Sequence, residues 1–290
     1  MRYISTNISP FYRIGDRKQV VKMLKDAGFT AYDFSMFCNE WHKPYNDFLS
    51  TDDYVEKAKD FRAYADSIGI VCNQSHAPFP TVIKGEENEE FNKQMFDLVC
   101  RAIEVSGILG VKVCVVHPCN DYTAEENAEL YKKFEPYARK AGVKIGVENM
   151  WNWAADSPTA TPAACSHHDD FRKHLDLLPS DVFVACLDIG HAQMAGLDTS
   201  AVQMIETLSD RLEALHVHDV DGVHDNHQLP FTQATDFEPI VQALKKVGYK
   251  GDITLESDCF ATKAPLEIQP AVAKYMAAVA GYFKDRLENN

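Results

Sequence analysis

The run VFVACLDIGH (residues 182–191) stays apolar through Leu187 and then delivers two candidate metal ligands, Asp188 and His191. Five other runs end in the same way. VCNQSHAP (71–78) carries His76, VKVCVVHP (111–118) His117, VKIGVENM (143–150) Glu148, LEALHVHD (212–219) His216 and His218, and DITLES (252–257) Glu256. A short apolar run bounded by turn signals reads as a buried strand. Ligands at the carboxyl ends of six successive strands require those strands to converge on one place, and a closed parallel barrel is the simplest geometry that does this. The pattern predicts a metalloenzyme.

Outward from these runs, strand-like and helix-like segments alternate over the whole chain. Strands are expected at 2–7, 31–36, 70–75, 112–117, 144–149, 183–188, 214–218 and 253–256. The segments between them, such as DDYVEKAKDFRAYADSIG and EEFNKQMFDLVCRAIEVSGILG, space their apolar residues as helices do. Several end in a glycine that leads into the next strand, the expected helix C-terminal cap. With no linker or shift in composition, this order predicts an α/β chain folded as one (β/α)8 TIM barrel domain over residues 1–290. The longest irregular stretch, about 151–166, follows the fifth strand. It is expected either to lie over the barrel mouth as a lid or to be a surface excursion.

Composition narrows the partners. An apolar fraction of 46% supplies a substantial core, and a net charge of −14 repels phosphate backbones, so nucleic acid is a disfavoured partner. Sugars and polyols meet no such penalty. The opening MRYISTNISPFYRIGD has no apolar core of signal-peptide length, and no window approaches a membrane span. The eight cysteines form no C-x-x-C pair. A cytoplasmic protein without disulfides and without membrane contact is expected. The C-terminal PLEIQPAVAKYMAAVAGYFKDRLE carries enough apolar surface to pack on the barrel or on a second subunit, which leaves a homo-oligomer open.

Glu148 and Glu256 each close an apolar run, where a carboxylate is costly to bury unless a metal or a cation compensates it. A salt-bridged structural acid is the alternative for either one alone. In LDIGH, Asp188 and His191 can face one centre, or one can hold a metal and the other a substrate. His216 and His218 lie two apart, on one face of a strand. One is expected to be a ligand and the other a supporting or buried hydrogen-bonded histidine. Asp225 and His227 form a further D-x-H pair, and His76 and His117 are either pocket groups or loop histidines. The remaining histidines, at 42, 167, 168, 174 and 224, follow no strand end and receive no role. Asn149, Trp151 and Trp153 directly follow Glu148 as candidate substrate contacts; for the two rings, lid packing is the alternative.

With these residues in place the chain resembles the xylose-isomerase-like TIM barrel superfamily, which holds sugar isomerases, ketose 3-epimerases, inosose dehydratases and the endonuclease IV group. The markers are V-E-N (Glu148), L-D-I-G-H (Asp188, His191), H-V-H-D (His216) and L-E-S (Glu256). The segment DNHQLPFTQATDF (225–237) resembles the family's D-x-H-x-x-P-G-x-G-x-I-D-F, with Phe231 and Gln233 in place of its glycines. In epimerase-like members the resemblance implies one divalent metal (Mn, Mg, Co or Zn) held by Glu148, Asp188, His216 and Glu256. His191 would contact substrate, and Glu148 and Glu256 would exchange protons through a metal-bound enediolate. In endonuclease IV-like members it implies three zinc ions held by His76, His117, Glu148, Asp188, His191, His216, Asp225, His227 and Glu256. A sugar or polyol isomerase or epimerase is therefore expected. An endonuclease IV-type phosphodiester hydrolase and a catalytically silent metabolite-binding barrel are the alternatives.

Overall fold

The computed structural model describes residues 2–40 and 43–289. Among these, strands and helices alternate: β1 (Ile4–Thr6), α1 (Arg17–Ala27), β2 (Ala31–Ser35), α2 (Tyr54–Ile68), β3 (Val71–His76), α3 (Glu89–Leu109), β4 (Val113–Val116) and α4 (Ala124–Ala141). They continue with β5 (Lys144–Glu148), α5 (His168–Asp176), β6 (Phe183–Asp188), α6 (Ala201–Leu208), β7 (Leu212–His216), α7 (Phe237–Lys246) and β8 (Ile253–Leu255). A short α8 (Asp258–Thr262) and the closing α9 (Gln269–Glu288) complete the order. Strands β2 to β7 pair in parallel in chain order, and β1 pairs with β8. Single bridges, Asn7 with Asp33 and Val217 with Leu255, join the two sheets and close the circle. This is the expected (β/α)8 barrel.

The strand ends differ from the expected ones by a residue or two. The seventh strand runs Leu212–His216 rather than 214–218, and the fourth stops at Val116, before His117. His76, Glu148, Asp188 and His216 are each the last residue of a strand, and His117 and Glu256 come one residue after theirs.

Helix boundaries follow from capping chemistry. Thr123 and Glu126 form a reciprocal capping box at the start of α4, satisfying two otherwise orphaned N–H groups. Gly69 ends α2 at φ +69°, a conformation that costs glycine nothing, and its N–H returns to Ala65 and Asp66. The main core lies between the sheet and the helices, with Phe34, Phe61, Phe134, Phe171 and Phe183 buried there. Helix α9 turns Ala273, Met276, Ala280 and Phe283 inward, so it packs on the barrel.

The barrel interior is divided. One side is apolar and narrow, built from Val113, Val115, Val184, Cys186 and Ala214. Gly146 is required there, because a Cβ would come within 2.9 Å of Val113 Cγ1 and 3.2 Å of Cys186 Cβ. The other side is polar: Ser5 bonds Thr254, Asn73 reaches Thr254, and Gln74 donates to Asp33. A register shift between Tyr32 and Asp33 leaves Asn73 as an extra residue in β3. The eight cysteines are unpaired. No helix among the described residues is long and apolar enough to cross a membrane.

Candidate metal centre

Glu148 ends β5, Asp188 ends β6, His216 ends β7 and Glu256 follows β8, so four consecutive strands deliver four side chains to one point. All four are buried, and one ligand atom from each lies within 4.8 Å of the others. His216 Nδ1 stands 2.8 Å from Glu148 Oε1, 3.0 Å from Glu256 Oε2 and 3.9 Å from Asp188 Oδ2. Asp188 is held from its other side, its Oδ1 accepting from the His191 N–H at 2.7 Å and facing His218 Nε2 at 2.9 Å.

Two further groups flank this centre. His76 Nε2 and His117 Nε2 are 3.0 Å apart, and lie 3.4 and 3.0 Å from Glu148 Oε2. On the opposite flank, His191 Nε2 and His227 Nε2 converge on Asp225 Oδ2 at 3.2 and 3.1 Å, with His218 beside them. Of the LHVHD pair, His216 thus joins the three strand-end carboxylates, while His218 supports Asp188 and packs flat against His227.

The ring orientations are informative. His76, His191 and His227 each place Nδ1 2.8 Å from a backbone carbonyl, those of Ala77, Asn149 and Glu256 respectively. Nδ1–H donates there, so Nε2 is the lone-pair nitrogen of the neutral ring, and it faces other nitrogens and carboxylates. That arrangement is repulsive unless each ring takes a second proton or a cation sits between the groups.

Proton charge can fill this role in the protein by itself. Burial disfavours the Glu148 carboxylate, yet His216 and His117 hold it well below the usual range. Burial likewise opposes charge on Glu256, which His216 draws down to about 2. Against its own burial, His191 is pushed up to about 10 by Asp188 and Asp225. A divalent ion supplies the same compensation while leaving the histidines neutral as ligands. Glu148 Oε2, buried and without a well-directed hydrogen bond, faces the flanking rings as such a ligand would. The donor set, imidazole and carboxylate without thiolate, suits Mn, Mg, Co or Zn.

Above the centre is a cavity of about 710 Å³. Trp151, Asn152 and Trp153, the first residues of the long segment after β5, line it. Trp151 Nε1 donates to Asp225 Oδ2 at 3.3 Å, and Trp153 stacks on His224, so this segment reaches across to the one after β7. Asn149, expected from sequence as a substrate contact, is not among the cavity-lining residues; its side chain is buried and bonded to the Asp188 backbone. Phe37, Phe79, Asp121 and Asp258 also form the wall, and sequence reasoning missed them. Asp258, two residues beyond Glu256, carried the one usable signal. Of the histidines given no role, His174 is buried against Asn127 and the Asp170 carbonyl, and His42 lies outside the described residues.

A family model described as xylose isomerase-like TIM barrel matches residues 21–279. The chain belongs to that family. It is 29% identical over 191 residues to an uncharacterized protein of Methanocaldococcus jannaschii, MJ1311, the match covering 63% of each chain. It is 27% identical over 201 residues to the uncharacterized protein y4fM of Sinorhizobium fredii, covering 65% of this chain and 56% of that one. The chain thus spans less than two thirds of the length of these curated relatives. Among solved structures, a D-tagatose 3-epimerase-like protein superposes with a TM-score of 0.69 at 19% identity, covering 97% of this chain and 98% of that one. A D-psicose 3-epimerase superposes at 0.73 and 13%, covering 97% and 98%. A sugar phosphate isomerase/epimerase from Parabacteroides distasonis does so at 0.65 and 17%, covering 97% and 95%. At these identities the likeness is one of fold.

Proposed function

We propose that this chain is a divalent-metal-dependent sugar or polyol isomerase or epimerase. The observation that carries the reading is the convergence of Glu148, Asp188, His216 and Glu256 on one point, with Glu148 and Glu256 lining a 710 Å³ cavity that has aromatic walls. The epimerases among the similar folds support the substrate class. A bound divalent ion, held by those four residues, would polarise a substrate carbonyl and acidify the neighbouring carbon. Glu148 and Glu256 approach His216 Nδ1 with one oxygen each and both line the cavity, which supports a pair of carboxylates acting on the substrate. One takes a proton from carbon and the other returns one, to a different carbon or to the opposite face. His191, its ring fixed by the Asn149 carbonyl, orients a substrate oxygen from the cavity wall. Trp151 and Trp153 offer apolar faces to the carbon skeleton.

The flanking groups favour a second reading. His76 and His117 beside Glu148 on one side, and His191, Asp225 and His227 on the other, are the additional ligands expected of an endonuclease IV-type hydrolase. Elemental analysis of protein purified without chelators separates the two. About one divalent ion per chain, with deuterium exchanged from solvent into a ketose, supports the isomerase or epimerase. About three zinc ions per chain and cleavage of abasic DNA support the hydrolase. No metal, and no exchange after adding Mn, Mg, Co or Zn, removes both.

A further inference from the structure

We infer that the substrate of this cavity is an unphosphorylated polyhydroxy carbonyl compound, and that the chain's own carboxyl groups occupy the places where a terminal phosphate would be held. The inference rests on the isomerase reading above. In (β/α)8 barrels a phosphate is commonly bound by the segments after the seventh and eighth strands, together with the N-terminus of a short extra helix. Both parts are present here: the donors of the first are spent on an internal carboxyl group, and the second opens with a carboxyl of its own.

After β7, the backbone N–H groups of Val220, Thr232, Gln233 and Thr235 all donate to the carboxyl of Asp219, at 2.8 to 3.1 Å. Asp219 is fully buried, so this nest of donors is spent on an internal carboxyl group. After β8, the short helix α8 opens with Asp258, whose two oxygens accept from Asn7 Nδ2 at 2.7 and 2.9 Å while the residue lines the cavity. A phosphate brought to this corner meets a carboxyl where it needs donors.

The rest of the wall offers no substitute. Lys84 is the one lysine or arginine among the lining residues described. It lies at the rim, directed to the Asp121 carbonyl at 3.3 Å and the Glu126 carboxylate at 3.8 Å, with its ammonium over the Tyr122 ring. The cavity's histidines face acids of their own: His191 and His227 face Asp225, and His76 and His117 face Glu148. The wall suits hydroxyl groups, which donate to Asp258 and Asp121, and repels a dianion.

The test is calorimetric titration of the Mn-loaded protein with free ketopentoses and ketohexoses, D-fructose and D-allulose included, and with their terminal phosphate esters. Deuterium exchange from solvent is read on the same panel by NMR. The best free ketose is expected to bind about tenfold or more tightly than its own ester. Asp258→Asn should narrow that gap and Lys84→Ala should leave it unchanged; the wild-type ratio decides whether or not the Asp258 variant folds. Esters that bind as well as or better than free sugars overturn the inference, and if they also exchange deuterium the isomerase reading stands without it. Absence of binding by either class overturns the inference, and absence of exchange as well takes the isomerase reading with it.

Discussion

Asn149 grips the backbone of Asp188 on both sides, its Nδ2 donating to the Asp188 carbonyl at 2.9 Å and its Oδ1 accepting from the Asp188 N–H at 2.8 Å. Both residues are buried, so this clamp fixes the height at which β6 presents its carboxylate beside β5. Asn149→Ala removes both bonds and leaves two buried backbone groups unsatisfied. Stability should fall by about 1–3 kcal/mol. Metal affinity, read by titration against a chelating dye, should fall about 10–100-fold, as it does when partners that orient a ligand are lost. Unchanged affinity would show that Asp188 is positioned without the clamp.

Glu148→Gln and Glu256→Gln test the proposed division of labour at the carbon acid. Each keeps shape and removes the proton-accepting charge, so turnover should drop by at least about a hundredfold with the fold retained. Deuterium exchange separates the two. The variant that lacks the proton-abstracting base exchanges nothing into substrate, whereas the other washes deuterium into one carbon without completing the isomerisation. Near-normal rates in both would remove the mechanism.

The barrel was legible in the sequence because most of its later strands are apolar runs that end at a polar group of distinct chemistry. VKIGV-Glu148 and VFVACL-Asp188 announce both the strand and its end. What was not legible lies where burial and polarity part company. Asp33, Asn73 and Gln74 face the barrel interior although nothing in AYDFS or VCNQS marks them, because an extra residue at the β3 register shift turns the side chains. Asp219 reads as one more acid in HVHDVDG, yet it organises a loop through four backbone N–H groups contributed by residues 220–235. Such groupings arise from topology, and sequence spacing does not encode them locally. The position of Asn149 next to Glu148 is plain in the sequence, but the bonding of its amide to the neighbouring strand is not.

Asp33 makes stability pH-dependent in an unusual direction. Burial pushes its carboxyl up to about 6, partly offset by His216 and His76; Gln74 donates to Oδ2 at 3.1 Å and Oδ1 has no partner. A carboxyl with a raised folded-state pKa favours the protonated form, so the folded state is penalised above that value. The penalty is absent below about pH 4, grows as pH rises and is complete above about pH 6, where a shift of roughly two units is worth roughly 3 kcal/mol. In metal-stripped protein, Asp33→Asn should therefore be more stable than the parent at pH 7.5 in urea denaturation, with the difference vanishing near pH 4. A variant less stable than the parent at pH 7.5 would mean that the charged carboxylate is compensated in place.

Phe231 stands at φ +73°, in the left-handed region, where the family segment that this stretch resembles carries glycine. A residue with a Cβ loses about 1–2 kcal/mol there. Its ring offsets that cost by stacking on Phe283, with centroids 5.4 Å apart and planes at 10°, and by meeting Phe237 edge-on at 5.3 Å. The two contributions come apart in a pair of variants. Phe231→Ala removes the ring and keeps the strain, while Phe231→Gly removes both. Glycine ordinarily destabilises relative to alanine, because it frees the unfolded chain. Here the order should reverse, the glycine variant being more stable than the alanine variant by about 1 kcal/mol in chemical denaturation, with both below the parent if the aromatic packing outweighs the strain. An alanine variant at least as stable as the glycine one would show that the backbone relaxes out of the left-handed region once the ring is gone, and that Phe283 holds Phe231 in this conformation.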